Sequence, residues 1–230
     1  MDLEPHWLIP PTPDPARSAE FDAILDRALA AGPEHPLEYD SDAPRWQFLM
    51  HVAKSGRYVL HGSNNPSITV FEPRQSDDVH EFGNRTAIYA ASDGLWPMYF
   101  AIVDRSRHVS LVNASITDVA DPTQTRYFFS ISAERLAEGA FRDGTVYILP
   151  NEEFELDHEY EISGHRVRAN QVARRTEVAP LAKLSVSPTD FPFLDQIRGH
   201  DQETVMRRVE ADIDGFPWLT DKADAPGEHA

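Results

Sequence analysis

The sequence RYVLHGSNNP at residues 57–66 decides how the chain is interpreted. Its apolar run at 58–60 predicts a short β-strand, and the HGSNNPS cluster that follows consists of turn-forming residues. Before this stretch the apolar residues recur at helical spacing, whereas after it they form short runs separated by Gly, Pro, Asp and Asn. Position 57 therefore marks the start of a β-rich body.

Short runs of strand-forming residues recur through this body. They predict strands at 87–91, 109–112, 127–131, 145–149, 165–169 and 182–186. The run PMYFAIV at 97–103 fits a helix or a buried strand, which periodicity does not distinguish. Strands this frequent, with few long helices between them, predict an α+β fold with mainly antiparallel pairing rather than a doubly wound parallel sheet.

Helices are predicted on both sides of the body. A proline-rich arm precedes a helix that ends at Gly32. A second helix is predicted over 43–54, with an inward face of Trp46, Leu49, Met50 and Ala53. Near the C-terminus Asp201 is the predicted N-cap of a helix with the apolar stripe Val205, Met206, Val209 and Ile213.

These elements divide one globular domain into three parts. Residues 1–56 hold the arm and two helices, 57–194 form the core, and 195–230 hold the C-terminal helix and its tail. Residues 216–219 are expected to dock onto the body, and residues 221–230 are expected to fray.

The composition excludes several classes of protein. The chain has 230 residues with 38 acidic and 21 basic side chains, giving a formal charge of −17 that is spread along its length. Without a basic face it is not expected to bind nucleic acid through general electrostatics. The absence of Cys excludes disulfides and thiolate metal sites, and the ten histidines lack the spacing of a metal site, so no metal is expected.

Two further observations concern location. No stretch approaches the ~20 consecutive apolar residues of a membrane-spanning helix. The acidic, proline-rich start of the sequence differs from the basic start and apolar run of a signal peptide. We therefore expect a cytoplasmic protein that does not bind membranes.

The segments YVLHGS at 58–63 and AIYAAS at 87–92 together resemble the NAD-binding half of the ADP-ribosyltransferase fold. The resemblance is to its His–Tyr–Glu branch, which includes diphtheria toxin and poly(ADP-ribose) polymerase. In that family a His ends the first core strand before Gly, and a Tyr follows in a later strand; here Tyr89 lies 28 residues after His61. The resemblance covers roughly 57–190 and implies a split, mainly antiparallel sheet flanked by N- and C-terminal helices.

The resemblance also implies a role for each motif residue, with NAD as co-substrate. His61 would hydrogen-bond a ribose hydroxyl on the adenosine side, and the Gly62 backbone would meet the nicotinamide carboxamide. Ser63 would add a hydroxyl contact, and Tyr89 would stack on the nicotinamide ring. Glu177, in the segment RRTEVAP, would bind the ribose 2′-hydroxyl and stabilise the developing cation.

Two of these assignments have alternatives. Glu177 is preferred as the third motif residue because the residues after it alternate as a half-buried strand does, but Glu152 and Glu153 follow the predicted strand 145–149 and are alternatives. Arg74 or Arg85 is expected to contact the pyrophosphate, on the basis of charge and loop position alone. Each residue also has an ordinary structural explanation, as a turn, core or surface residue.

The expected function is NAD-dependent ADP-ribosyl transfer, with NAD glycohydrolysis as a side activity. The reaction passes through an oxocarbenium-like transition state, so it needs a held dinucleotide and nearby negative charge rather than a strong nucleophile. The acceptor, whether protein, nucleic acid or small molecule, stays open. So do three alternatives: a non-catalytic module binding NAD, ADP-ribose or a protein; an RNA 2′-phosphotransferase, which the acidic balance disfavours; and an unrelated α+β domain.

Overall fold

A computed structural model describes residues 1, 3, 6–76, 80–107, 109–162 and 164–218. Over these residues the fold is α+β and mostly antiparallel. The helices are α1 (Ser18–Ala31), α2 (Arg45–Lys54), α3 (Trp96–Ile102), α4 (Ala133–Ala137) and α5 (Gln202–Ala211). The strands are β1 (Tyr58–Ser63), β2 (Arg74–Gln75), β3 (Thr86–Ala91), β4 (Leu111–Asp118), β5 (Thr125–Ser132), β6 (Gly144–Pro150), β7 (Glu155–Leu156), β8 (Glu159–Ile162), β9 (His165–Ala169), β10 (Gln171–Arg174), β11 (Ala182–Val186) and β12 (Arg198–His200).

The strands form two sheets. The larger sheet has the order β11-β6-β1-β3-β10-β7, with β2 also paired to β3, and all its pairs are antiparallel. The smaller sheet has the order β12-β5-β4-β9-β8, in which only the β12–β5 pair is parallel. The predicted α+β class with mainly antiparallel pairing is confirmed.

Alternation along β1 assigns its residues to opposite faces of the larger sheet. Leu60 faces the main core with the helices, whereas Val59 packs in a second cluster with Phe71 and Tyr147. Because side chains alternate along a strand, His61 lies on the same face as Val59. The predicted motif therefore begins at a buried strand in the centre of the sheet.

The ambiguous run 97–103 lies mostly in a helix, α3, which rests directly on the sheet. The Asp93 carboxylate accepts hydrogen bonds from the backbone N–H groups of Leu95 and Trp96, both at 2.8 Å, and so satisfies the start of the helix. A Cβ added at Gly62 would lie 1.9 Å from the Pro97 carbonyl oxygen. The close approach of α3 to β1 thus requires a residue without a side chain at position 62.

The N-terminal helices are present, but the inward face of the second differs from the prediction. Phe48, Leu49, Val52 and Ala53 are its buried residues. Trp46 and Met50, predicted to point inward, lie at the flanks of this face and are partly buried. The prediction placed the start of the helix at Pro44, and the helix begins at Arg45 with Pro44 as its N-cap residue.

At the C-terminus the predicted cap of α5 is confirmed, since Asp201 Oδ1 accepts from the Thr204 N–H at 2.8 Å. Val205 is buried, but Met206 and Ile213 are 55% and 47% exposed, so the predicted stripe is wrong at these two positions. Trp218 docks in a cluster on the smaller sheet, as predicted for 216–219. Leu219 and residues 221–230 lie outside the described residues. Among the described helices, none has both the length and the apolar character needed to cross a membrane.

Candidate functional site

The candidate site lies where β1 separates from β3. β1 pairs with β6 along its whole length, but its register with β3 contains one pair, Leu60 opposite Ala91. One residue further along, the imidazole of His61 spans the gap, with Nδ1 2.6 Å from the carbonyl oxygen of Tyr89. The His61 side chain, rather than a backbone N–H group of β1, makes the hydrogen bond to β3 at this point. The two strands therefore diverge at the predicted motif.

This hydrogen bond determines the tautomer of His61. A carbonyl oxygen only accepts, so Nδ1 carries the proton and donates it to Tyr89. Burial lowers the pKa of His61 below its ordinary value of 6.5; the bond to Tyr89 opposes this shift, and the charge of Arg105 adds to it. Near pH 7 the neutral ring therefore presents the lone pair of Nε2 as a hydrogen-bond acceptor. Among the described residues Nε2 has no hydrogen-bond partner.

Aromatic rings close one face of the gap. The Phe71 ring packs edge-on against His61, with ring centroids 4.7 Å apart, and against Tyr147 at 5.2 Å. Phe71 is held in place by a backbone bridge to Val178. The Tyr147 hydroxyl donates to the carbonyl of Asn65 at 2.7 Å, which fastens the segment after β1 onto the same face.

Gly62 and Ser63 both have local structural partners. The face of Gly62 toward α3 is closed by the Pro97 carbonyl, so a ligand reaches Gly62 only along its edge in the gap. The Ser63 hydroxyl accepts from the Asn65 N–H at 3.1 Å and stabilises the turn after β1. Their predicted contacts with nicotinamide and ribose stay predictions.

Tyr89 lies beside His61 in the sheet, but its side chain points to the other face. Its neighbours Ile88 and Ala90 pack with the Val59 cluster, whereas the Tyr89 ring packs near Phe82. The Tyr89 hydroxyl donates to the Phe82 carbonyl at 2.8 Å and accepts from the Arg85 N–H at 2.8 Å. The phenol thus fastens the turn before β3, and the structure does not bring it to the face where His61 and Phe71 meet.

Glu177 lies on the exposed turn after β10. The Arg174 Nη2 donates to its carbonyl oxygen at 3.1 Å, while its carboxylate has no hydrogen bond or ion pair with any described residue. The next residue, Val178, is the bridge partner of Phe71, which contacts His61. The Phe71–Val178 bridge therefore lies between the Glu177 backbone and the imidazole.

The alternative carboxylates lie at the same corner of the molecule. Thr176 Oγ1 donates to Glu153 Oε2 at 2.8 Å, and Arg174 Nη2 is 3.1 Å from the same oxygen. Arg174 Nη1 also donates to the Glu152 carbonyl at 2.8 Å. The turns after β6 and β10 thus bring Glu152, Glu153 and Glu177 together, and the carboxylate of Glu153 is already occupied by protein groups.

The two arginines predicted to contact the pyrophosphate lie on β2 and directly before β3. Arg85 lies over the Phe82 ring at 4.8 Å and is within 4.0 Å of Glu81 and Glu155. Arg74 is exposed on β2, opposite Ala87 near the start of β3.

Sequence reasoning missed a basic residue that the fold places beside the motif. The Asn64 side chain donates to the Ala101 carbonyl at 2.7 Å and accepts from the Arg105 N–H at 3.0 Å. The loop after α3 is thereby held next to the end of β1, and the charge of Arg105 acts on His61. The turn-forming character of Asn64 was visible in the sequence, but nothing local connected it to a residue so distant along the chain.

Neither of the two cavities described lies where β1 separates from β3. A cavity of about 420 Å³ lies between the start of α2 and the 188–192 segment, and one of about 180 Å³ lies between the two sheets. None of the predicted site residues lines either cavity. Within the described residues, no three His, Asp or Glu side chains are grouped as a metal site requires.

Comparison with family models, with curated proteins and with solved structures gives no significant match.

Proposed function

We propose that this chain binds an NAD-type dinucleotide in the gap between β1 and β3, on an ADP-ribosyltransferase-like fold. The observation that carries the proposal is the state of His61. Its Nδ1 donates to Tyr89, its ring is neutral near pH 7, and its Nε2 is left as an acceptor for a ribose hydroxyl. The order of the HGS and IYA segments supports NAD as the nucleotide.

Calorimetric titration with NAD tests this proposal. The His61→Ala variant removes the acceptor, and we expect about tenfold weaker binding, the equivalent of one hydrogen bond to a ligand hydroxyl. His51→Ala is the matched control, because His51 is bonded to Asp22 on the N-terminal helices. Failure of the wild-type protein to bind NAD, or equal binding by the His61 variant, would contradict the proposal.

ADP-ribosyl transfer is the second candidate function, and the carboxylate of Glu177 favours it. This group has no protein partner among the described residues and directly precedes Val178, which bridges to Phe71. An ionised carboxylate near the scissile bond would stabilise the oxocarbenium-like transition state. A dinucleotide held at His61 would have to extend past the Phe71–Val178 bridge for its nicotinamide ribose to reach Glu177.

Release of nicotinamide from NAD separates the two candidates. If NAD is cleaved, Glu177→Gln should retain binding and lose most of the turnover, because the amide keeps the shape and removes the charge. Glu153→Gln is the control, since Arg174 and Thr176 already engage that carboxylate. Saturable binding without nicotinamide release would leave a non-catalytic NAD or ADP-ribose module. Loss of turnover in the Glu153 variant alone would move the catalytic role to that residue.

A further inference from the structure

We infer that Lys183 and the hydroxyl of Ser185 form a binding site for a phosphate group on one face of the larger sheet. The site lies where β6 and β11 are covered by the segment 64–68. It does not depend on the proposed function, because it rests on a buried cation for which the protein supplies no countercharge.

Strand register places Lys183 on the same face of the sheet as His61. Lys183 lies opposite Tyr147 on β6, and Tyr147 lies opposite His61 on β1. Residues directly opposite each other in antiparallel strands point to the same side of a sheet, so the three side chains form one row. Phe71 packs against His61 and Tyr147 on this face.

Lys183 is a buried cation without a carboxylate partner. The residue is 7% exposed, and its ammonium group donates to the Pro66 carbonyl at 2.9 Å. Within the described ranges this is its one hydrogen bond, and no Asp or Glu forms an ion pair with it. An ammonium group carries three N–H donors, so two of them have no acceptor among these residues. Burial of a charge is costly unless an opposite charge and hydrogen bonds compensate it.

The other buried charged side chains show that this chain normally compensates such groups. Apart from Lys183, each buried Asp or Arg that the structure describes lies near a group that can carry the opposite charge. The pairs are Arg135–Glu138 at 3.1 Å, Asp118–His165 at 3.5 Å and Asp157–His158 at 2.8 Å. Lys183 therefore has an unmet requirement for an anion.

Hydroxyl groups line the next row on the same face. Ser63, Thr145 and Ser185 pair across β1, β6 and β11, each two residues along its strand from the row of Lys183. Ser185 is exposed, so a ligand can reach the face from this side. In the part of the chain that the structure describes, its hydroxyl has no hydrogen-bond partner.

This combination of donors suits an oxyanion. The Pro66 carbonyl is a neutral acceptor, whereas a phosphate oxygen supplies the negative charge that Lys183 lacks and also accepts from a hydroxyl. At a net charge of −17 the protein repels anions in general, so binding requires local donors that no carboxylate neutralises. We expect the anion to lie beside the Pro66 carbonyl, between Lys183 Nζ and Ser185 Oγ.

An NMR titration with inorganic phosphate tests this site. In the wild type the backbone amide signals of Ser67 and Ser185 should shift and saturate, and sodium chloride of equal ionic strength should not reproduce the shifts. Lys183→Met keeps the length of the buried side chain and removes the charge, so we expect about tenfold weaker binding. Lys54→Met is the matched control, because Lys54 is exposed at the end of α2, and it should bind phosphate as the wild type does.

Ser185→Ala keeps the test decisive if Lys183→Met does not fold. Ser185 is exposed, so this variant is expected to fold, and the loss of one hydroxyl donor should weaken phosphate binding about threefold. Absence of a saturable shift in the wild type, or the same shifts with chloride, would overturn the inference. So would wild-type affinity in a folded Lys183→Met or, if that variant does not fold, wild-type affinity in Ser185→Ala.

Titration of the same variants with NAD identifies the source of the phosphate group. Weaker NAD binding by Lys183→Met would assign the site to the phosphates of the nucleotide. Unchanged NAD binding, with weakened binding of inorganic phosphate, would assign it to a separate phosphate ligand. If the wild type binds inorganic phosphate but not NAD, the proposed function is rejected and the phosphate site is retained.

Discussion

The ends of β1 and β12 both carry a histidine beside a glycine, but they use it in different ways. His200 is 2% exposed, with Nδ1 2.7 Å from Ser130 Oγ and Nε2 3.0 Å from Ser110 Oγ. His61 is half-buried, and within the part of the chain that the structure describes it directs only Nδ1 to a protein group, the Tyr89 carbonyl. A histidine bonded through both nitrogens stabilises the fold, whereas one that keeps a nitrogen free retains a group for a ligand.

The largest expected difference is in the free energy of unfolding when the imidazole ring of His200 or of His61 is removed. His200→Ala leaves a cavity and two hydroxyls without their partner, and we expect a loss of about 3 kcal/mol in the free energy of unfolding. His61→Ala loses one hydrogen bond and an edge contact with Phe71, and we expect about 1 kcal/mol. Urea unfolding of both variants measures the difference. Equal losses would remove the distinction between a structural and a ligand-binding histidine.

The glycines next to these histidines should also differ in how much stability is lost when each is replaced by Ala. A Cβ at Gly62 would lie 1.9 Å from the Pro97 carbonyl oxygen, which is helix backbone, whereas one at Gly199 would lie 3.1 Å from the Ala133 Cβ. We expect Gly62→Ala to cost about 2 kcal/mol, because α3 must shift, and Gly199→Ala roughly 0.5 kcal/mol.

Thermal unfolding of the two glycine variants checks this pair. If Gly62→Ala were tolerated as well as Gly199→Ala, α3 would not rest on β1 as described. The gap beside His61 would then be wider on its α3 side.

A smaller effect is expected from the hydroxyls around His200. Ser130 is fully buried and also donates to the Arg198 carbonyl at 3.1 Å, so Ser130→Ala removes two buried hydrogen bonds, one to His200 Nδ1 and one to Arg198. We expect a loss of about 1.5 kcal/mol. Ser110 is half-buried, so water can replace its hydroxyl and Ser110→Ala should cost roughly 0.5 kcal/mol. A lower urea midpoint for Ser110→Ala than for Ser130→Ala would contradict this account of the hydrogen bonds around His200.

The smallest effect concerns pH. Because the folded state lowers the pKa of His61 below 6.5, the unfolded state binds more protons once the pH falls below that value. The stability contributed by neutral His61 is present above pH 6.5 and is lost as the pH falls through the folded-state pKa. NAD affinity should fall over the same window, because protonation of Nε2 removes the acceptor.

The matched variant for this test is His61→Gln, which does not titrate and keeps a polar side chain. Urea midpoints of the wild type, measured against those of His61→Gln between pH 7.5 and 5.5, should decrease on acidification; a relative increase would mean that His61 is charged in the folded protein. Subtracting the midpoints of His61→Gln from those of the wild type also cancels the titration of groups that both proteins share. One such group is the buried Asp93, whose pKa is raised by burial.

Much of the fold could be predicted where one local pattern dominates. The strands at 165–169 and 182–186 have the predicted bounds, and α1 ends before Gly32 as expected, because period and turn residues act locally. The strands 159–162 and 171–174 were missed. Their sequences, EYEI and QVAR, are each half polar, and β8 lies at the edge of its sheet, so no apolar run longer than two residues marked them.

The candidate site was predictable only in part. The sequence by itself determined that a strand begins at Tyr58 and that Tyr89 lies in another strand, since these depend on neighbouring residues. It placed the turn from His61 onward, which is wrong, because β1 continues to Ser63. Only the tertiary structure decided that His61 and Tyr89 lie on opposite faces, that Glu177 is separated from the imidazole by the Phe71–Val178 bridge, and that Arg105 lies at the end of β1. Strand register and side-chain alternation set the first two, and a hydrogen bond from a distant loop set the third; such contacts leave no local pattern in the sequence.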